Sequence, residues 1–218
     1  MNTYKLSPHT LNLYQECQRC FWEGNHGVKR PSGPFPSLPS GMDKIIKQRF
    51  DTYRKKNQLP EELSELEKVA LYNGKELKDW QNQWKGLRWT DEQGNTLAGA
   101  LDDVLQTAAG ELVVLDYKTR GFPLKDSPAY YTLQLECYTF LLQKNGFKTS
   151  ESAYLLFYWP EKFLESGEVK FTHKLLEVAV NAEHAEKAFN GAVRVLQGKK
   201  PDANTECKFC VYKEEKNG

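Results

Sequence analysis

The sequence predicts an α/β fold, and three stretches carry that prediction. Leu112-Val113-Val114-Leu115 is continuously apolar and partly β-branched, as suits a strand buried on both faces. Ala153 to Trp159 (AYLLFYW) reads as another strand. Between the two lies a helical segment from about Ser127 to Lys144. With 218 residues, 39% hydrophobic content and 12% aromatics, the chain can pack one core of ordinary size.

Taken in order, Lys5 to Glu23 forms the first helix. Ser7 can cap it, Pro8 takes its first position, and Leu11, Tyr14 and Cys17 or Phe21 follow at helical spacing. Pro31 to Pro39 is a Pro-, Ser- and Gly-rich surface loop. Ser40-Gly41-Met42-Asp43 opens a second helix with Ile45, Ile46, Phe50 and Tyr53 as its apolar stripe. Pro60 to Trp84 reads as charged and helical, with Leu63, Leu66, Val69, Ala70 and Leu77 spaced for packing. Trp80 and Trp84, four apart, fit core or groove wall, with base stacking as the alternative.

Trp89 lies on a strand that turns at Asp91 to Asn95 into the next, Leu97 to Thr107. Ala108-Ala109-Gly110 is a turn into the strand Glu111 to Tyr117. Thr119 to Asp126 is a loop whose Arg120 and Lys125 could meet phosphates or merely water. Beyond the helix from Ser127, the strand Ala153 to Trp159 is stopped by Pro160. Val169 to Leu175 forms another strand, and Asn181 to Gln197 the last helix. His9, His26, His173 and His184 have no ligand spacing and suit surface or packing roles.

A buried strand should not end in charge without cause, yet this one ends in Asp116-Tyr117-Lys118 and its partner carries Asp102-Asp103. Carboxylates on adjacent strands can converge on one divalent cation, and hard oxygen ligands suit Mg²⁺ or Mn²⁺. Asp116 and Lys118 are two apart, so they share one strand face. The ammonium can then position or help deprotonate a water and stabilise charge on a phosphoryl oxygen. Asp103 points to the other face and is the weaker candidate. In the following helix Gln134 and Tyr138 are four apart and reach one groove.

Gly99-x-x-Asp102, Asp116-x-Lys118 and Gln134-x-x-x-Tyr138, in this order and on these element types, resemble the PD-(D/E)XK nuclease superfamily, in particular its RecB-like and Cas4-like branch. The resemblance implies a central mixed β-sheet flanked by helices in a single domain, with a nuclease core over 40–197 and cysteine-bearing ends at 1–39 and 198–218. It implies a Mg²⁺- or Mn²⁺-dependent deoxyribonuclease cutting single-stranded DNA or DNA ends in repair, recombination or CRISPR adaptation, with a protein partner in such a complex. Asp102, Asp116 and the Tyr117 carbonyl would be metal ligands, Lys118 would position the water, and Gln134 and Tyr138 would orient substrate or lysine. Relatives place a His near Asp43; that carboxylate is either a further ligand or a residue that caps the helix or faces water.

The five cysteines form two C-x-x-C pairs, Cys17/Cys20 and Cys207/Cys210, plus Cys137, a small buried hydrophobe. Four thiolates complete a tetrahedral shell, and a site built from both ends would staple the N-terminal helix over the core. The resemblance implies a [4Fe–4S] cluster here, although those relatives use one N-terminal and three C-terminal cysteines. On chemistry alone Zn²⁺ fits equally well.

The charge balance of 30 basic against 29 acidic residues excludes a bulk polyanion field, so DNA must meet a local groove. No apolar run approaches the roughly 20 residues that cross a bilayer, and no signal h-region opens the chain. A cytoplasmic protein without membrane association is expected. Two rivals to the enzyme stand: a nuclease fold without turnover that binds DNA, and a zinc-stapled structural subunit.

Overall fold

In the computed structural model, residues 2–124 and 129–217 are described, with side chains through residue 215. The chain begins β1 (Lys5–Leu6), α1 (Pro8–Glu16), α2 (Gln18–Asn25), α3 (Ser37–Lys55), a 3-10 turn at Glu61–Leu63, β2 (Val69–Leu71) and α4 (Leu77–Trp80). It continues β3 (Leu87–Thr90), β4 (Thr96–Gly99), β5 (Asp103–Thr107), β6 (Leu112–Thr119) and α5 (Ala129–Lys144). It closes with β7 (Ser152–Phe163), β8 (Val169–Ala179), α6 (Ala182–Gln197) and α7 (Lys208–Asn217).

The main sheet has the order β2-β5-β6-β7-β8, with β6 and β7 parallel and the other pairs antiparallel. This is the mixed, helix-flanked sheet expected. Strand alternation divides its side chains between two cores. Leu112 and Val114 of β6, with Leu155 and Phe157 of β7, pack against Leu135 and Phe140 of α5 and Phe189 of α6. Val113, Leu115 and Tyr117, with Leu156 and Tyr158, pack against Ile46 and Phe50 of α3. A smaller sheet, β1-β4-β3, holds the β3–β4 hairpin and joins it to the N-terminus through the parallel β1–β4 pair.

Several sequence expectations need correction. The strand predicted over Leu97 to Thr107 breaks at Ala100-Leu101-Asp102, so β4 and β5 belong to different sheets. The break is held by backbone: Leu101 N–H donates to Trp80 O at 3.1 Å, and Tyr138 OH donates to Ala100 O at 2.8 Å. The first helix likewise divides. Cys17 is extended (φ −159°, ψ 104°) and its sulfur accepts the Cys20 N–H, so it ends α1 and caps α2. The start at Ser7 and Pro8 holds, as a capping box with Thr10.

The second helix begins at Ser37, inside the segment expected to be loop. Pro39 falls in its first turn, where a missing N–H leaves nothing unpaired. Residues 60–84 are mostly not helical: they hold a 3-10 turn, the sheet-edge strand β2 and the single turn α4. Trp80 is buried and stacks on Tyr72 at 5.5 Å, whereas Trp84 is exposed.

Pro160 does not stop β7. The last β6 partner of β7 is Tyr158, so Pro160 lies beyond the doubly paired region, beside an irregularity in the β7–β8 ladder. Nor is the helix at 182–197 the last, since α7 follows it. Ser127, Lys125 and Asp126 lie outside the described residues. Among the described residues no helix is long and apolar enough to cross a membrane.

Candidate metal centres

The break between β4 and β5 sets Asp102 beside β6, and the reason lies in Gly99. A Cβ on Gly99 would stand 2.8 Å from a ring carbon of Tyr138 and 3.3 Å from Pro8 Cδ. With hydrogen there instead, α5 and α1 close onto the strand end. Asp102 Oδ2 then accepts the backbone N–H of Tyr117 at 2.9 Å, and Oδ1 accepts from Lys47 Nζ at 2.8 Å.

Asp116 and Lys118 share the face of β6 that meets α5. Gln134 Nε2 donates to Asp116 Oδ1 at 3.2 Å and Gln134 Oε1 accepts from Lys118 Nζ at 3.2 Å. Asp116 Oδ2 meets Lys118 Nζ as an ion pair, without accepting a well-directed hydrogen bond. Gln134 Nε2 also lies 3.1 Å from Tyr138 OH, the hydroxyl that holds Ala100. Asp102, Asp116, Lys118, Gln134 and Tyr138 therefore form one connected group. Lys118 Nζ also lies 5.0 Å from the Tyr131 ring centre, a cation–π contact with no counterpart among the sequence expectations.

Burial pushes the Asp116 carboxyl up to about 7; Lys118 pulls it down, but Asp102 opposes ionisation from the other side. Burial would lower the Lys118 ammonium, yet Asp116 and Asp102 outweigh it and raise it. Lys118 is thus held charged, so in this state it can donate and position rather than abstract a proton. Two carboxylates pressed together in a buried place are what a divalent cation relieves, and these donors fit Mg²⁺ or Mn²⁺.

Asp43 sits at the edge of this group. It is the seventh residue of α3, too far from Ser37 to cap the helix. It reaches the site through Lys47, whose ammonium lies 3.0 Å from its carboxylate and bridges it to Asp102. Burial and the nearby Asp102 raise the Asp43 carboxyl. Tyr117 contributes only its backbone here, because its side chain lies on the opposite face against Phe50. Lys47 was missed by sequence reading, although its spacing of four from Asp43 was a usable signal.

Asp103 has another fate. It is fully buried, ion-paired with Arg54, with a second contact of 2.6 Å, and accepts from Tyr117 OH at 2.8 Å and Val104 N–H at 2.8 Å. It anchors α3 to the sheet. Arg120 follows β6, with its backbone N–H on Tyr158 O at 2.8 Å and its guanidinium over Phe122.

The second centre joins the two ends of the chain. Cys17, Cys20, Cys207 and Cys210 are all buried, and their sulfurs lie within 4.8 Å of one another. Cys137 is buried on α5, outside this group. Burial pushes the Cys20 thiol up to about 12. Burial would do the same to Cys207, but the N–H groups of Cys210 and Phe209 bring it down to about 7.

Arg30, which the sequence did not single out, donates to Cys207 Sγ at 3.2 Å and pairs with Glu16 at 2.7 Å. Beside the sulfurs, Glu23 meets Arg19, Lys200 and Lys213, tying α2 to the C-terminal segment. Burial would raise the Glu23 carboxyl, but these three cations hold it at about 2. Four sulfurs at these separations can bind a metal.

A family model described as the PD-(D/E)XK nuclease superfamily matches residues 35–214. No curated protein matches the chain. Among solved structures, one titled "Crystal structure of SSO0001" is similar at 13% identity, over 98% of this chain and 86% of that one. Its TM-score is 0.44.

Proposed function

From the premise that the chain belongs to the PD-(D/E)XK nuclease superfamily, we propose that it is a Mg²⁺- or Mn²⁺-dependent deoxyribonuclease. Its substrate is single-stranded DNA or DNA ends, cut in the manner of the RecB-like and Cas4-like exonucleases. The observation that carries this reading is the connected group of Asp102, Asp116, Lys118 and Gln134 at the end of β6. A cytoplasmic setting in repair, recombination or CRISPR adaptation goes with it, since free thiols need a reducing compartment. A protein partner there belongs to the same reading.

Asp102 and Asp116 would hold the cation, with the Tyr117 carbonyl and Asp43 as further oxygens. The cation, when bound, supplies Lewis-acid polarisation of the phosphate. Lys118 donates to the phosphoryl oxygens and orients the attacking water, whose oxygen bonds to phosphorus as the opposite P–O bond breaks; the water's proton passes to solvent and the leaving oxygen takes one from solvent. Gln134 fixes Lys118 and Asp116 relative to one another through its two amide atoms. Tyr138, by holding Ala100, keeps Asp102 against β6. Lys118, Lys47 and Arg120 supply local positive charge for the DNA backbone, which the balanced net charge does not.

One observation favours a second reading, a nuclease fold that binds DNA with little or no turnover. Lys47 places its ammonium 2.8 Å from Asp102, where it competes with a metal ion. Labelled single-stranded, duplex and flapped DNA, incubated with Mg²⁺ and with Mn²⁺, separates the two. Cleavage that disappears in Lys118→Ala supports the enzyme. Binding without cleavage under every condition supports the module.

A further inference from the structure

We infer that the four cysteines hold a single zinc ion and not an iron–sulfur cluster. The observation is the size of the sulfur cage. Cys17 Sγ and Cys210 Sγ are 3.6 Å apart, Cys20 and Cys207 3.7 Å, and Cys20 and Cys210 3.8 Å. No pair of the four exceeds 4.8 Å. A tetrahedron with Zn–S bonds of about 2.3 Å has sulfurs about 3.8 Å apart. In a [4Fe–4S] cube each cysteine binds a different iron, and the cysteine sulfurs stand outside the cube, roughly 6 Å from one another. The cage is therefore the size of one ion and cannot enclose the eight atoms of a cube. The cluster implied by resemblance to Cas4-like nucleases does not fit these residues.

The surroundings agree with a closed structural site. Four buried cysteine sulfurs fill all four positions of a tetrahedral ion and leave none open of the kind a catalytic zinc keeps. The ligands arrive as two C-x-x-C turns, each at the start of a helix: Cys17 and Cys20 lead into α2, Cys207 and Cys210 into α7. The Cys20 N–H points at Cys17 Sγ at 3.4 Å. Four thiolates around one divalent ion carry a net charge of −2, and Arg30 meets that charge at Cys207 Sγ. The Arg30 guanidinium is itself fixed over the Phe209 ring at 4.4 Å. A single iron would fit the same cage, but thiolate sites bind Zn²⁺ more tightly than Fe²⁺. The inference does not rest on the nuclease reading, because the staple holds the two ends whether or not DNA is cut.

The test is the metal and sulfide content of the full chain, purified both under nitrogen and in air. One zinc per chain is expected in both, with no acid-labile sulfide and no broad absorbance near ~400 nm. Zinc-edge X-ray absorption should give four sulfur neighbours at about 2.3 Å. Exchange with Co²⁺ should produce the intense visible bands of a tetrahedral thiolate site, and Cys137→Ser should leave both results unchanged. Four irons with four sulfides, one iron without sulfide, or folded protein that neither retains nor takes up zinc would each overturn the assignment. Loss of DNA cleavage with the zinc count intact would count against the nuclease reading alone.

Discussion

Asp102 and Asp103 are neighbours in the chain, and so are Asp116 and Tyr117, yet the two faces of the β5–β6 pair treat them differently. On the α3 face, Asp103 has Arg54, Tyr117 OH and a backbone N–H around it. On the α5 face, Asp116 has one lysine, one amide and a second carboxylate close by. Burial raises both carboxyls, but around Asp103 Arg54, Tyr117 OH and the Val104 N–H all oppose the rise, whereas Asp102 adds to it at Asp116, which is pushed up to about 7. Both aspartates are buried. Burial by itself therefore does not mark a functional acid. What marks it is an environment that leaves charge uncompensated and so has use for a cation from outside.

The largest effect should come from the compensated face. Asp103→Ala takes from Arg54 its buried carboxylate and leaves it only the more exposed Asp51, which should cost about 3 kcal/mol in a urea titration. A loss under ~1 kcal/mol would show that the two faces do not differ as described. On the other face the loss should appear in chemistry and not in folding. Lys118→Ala should slow cleavage on the order of 10²-fold or more while its melting temperature stays near the parent's. Mg²⁺ should raise the melting temperature of the parent and leave that of Asp116→Asn unmoved. Equal Mg²⁺ shifts in both proteins would place the ion elsewhere.

Asp43 and Lys47 sharpen the comparison, because they touch the α5-face site from α3. Asp43→Ala should raise the Mg²⁺ concentration for half-maximal cleavage by about tenfold. Lys47→Met should lower it, since a competing cation is removed. Shifts of the same sign in both variants would show that Lys47 supports the metal rather than rivals it.

The smallest effect is a pH dependence on the compensated face. Burial would raise the Glu62 carboxyl, but Arg49 and Tyr158 OH outweigh it, so the folded value lies below the ordinary 4.5. Its contribution to stability is full above 4.5 and is lost as pH falls through the depressed folded value. Glu62→Gln should then be less stable at pH 7 and flatter in acid. An acid limb identical to the parent's would remove Glu62 from the account.

The connected group at β6 was legible because each part of it is local. Alternation along Leu112 to Lys118 puts Asp116 and Lys118 on one face, and a spacing of four does the same for Gln134 and Tyr138. Lys47 was legible only in part: its spacing of four from Asp43 is local, but its contact with Asp102 spans 55 residues. The break at Ala100 to Asp102 was hidden for a related reason: Leu97 to Thr107 keeps the pattern of one strand, and the break depends on distant Trp80 and Tyr138. Residues 60–84 misled because apolar spacing that suits a helix also suits a short edge strand and a single turn. The helix α7 carries almost no apolar stripe, and its place is set by Cys207 and Cys210.

The sulfur cage has a consequence for the order of events during synthesis. Cys20 and Cys207 are 187 residues apart. At about 5–20 residues per second, a ribosome needs roughly 10–40 s to make that interval. Throughout it, Cys17 and Cys20 exist as a lone thiol pair, while every strand of both sheets has been made before the second pair appears. An ion held by all four sulfurs would thus be fixed only after both sheets and α5 have been made, and would lock the two cysteine pairs over them.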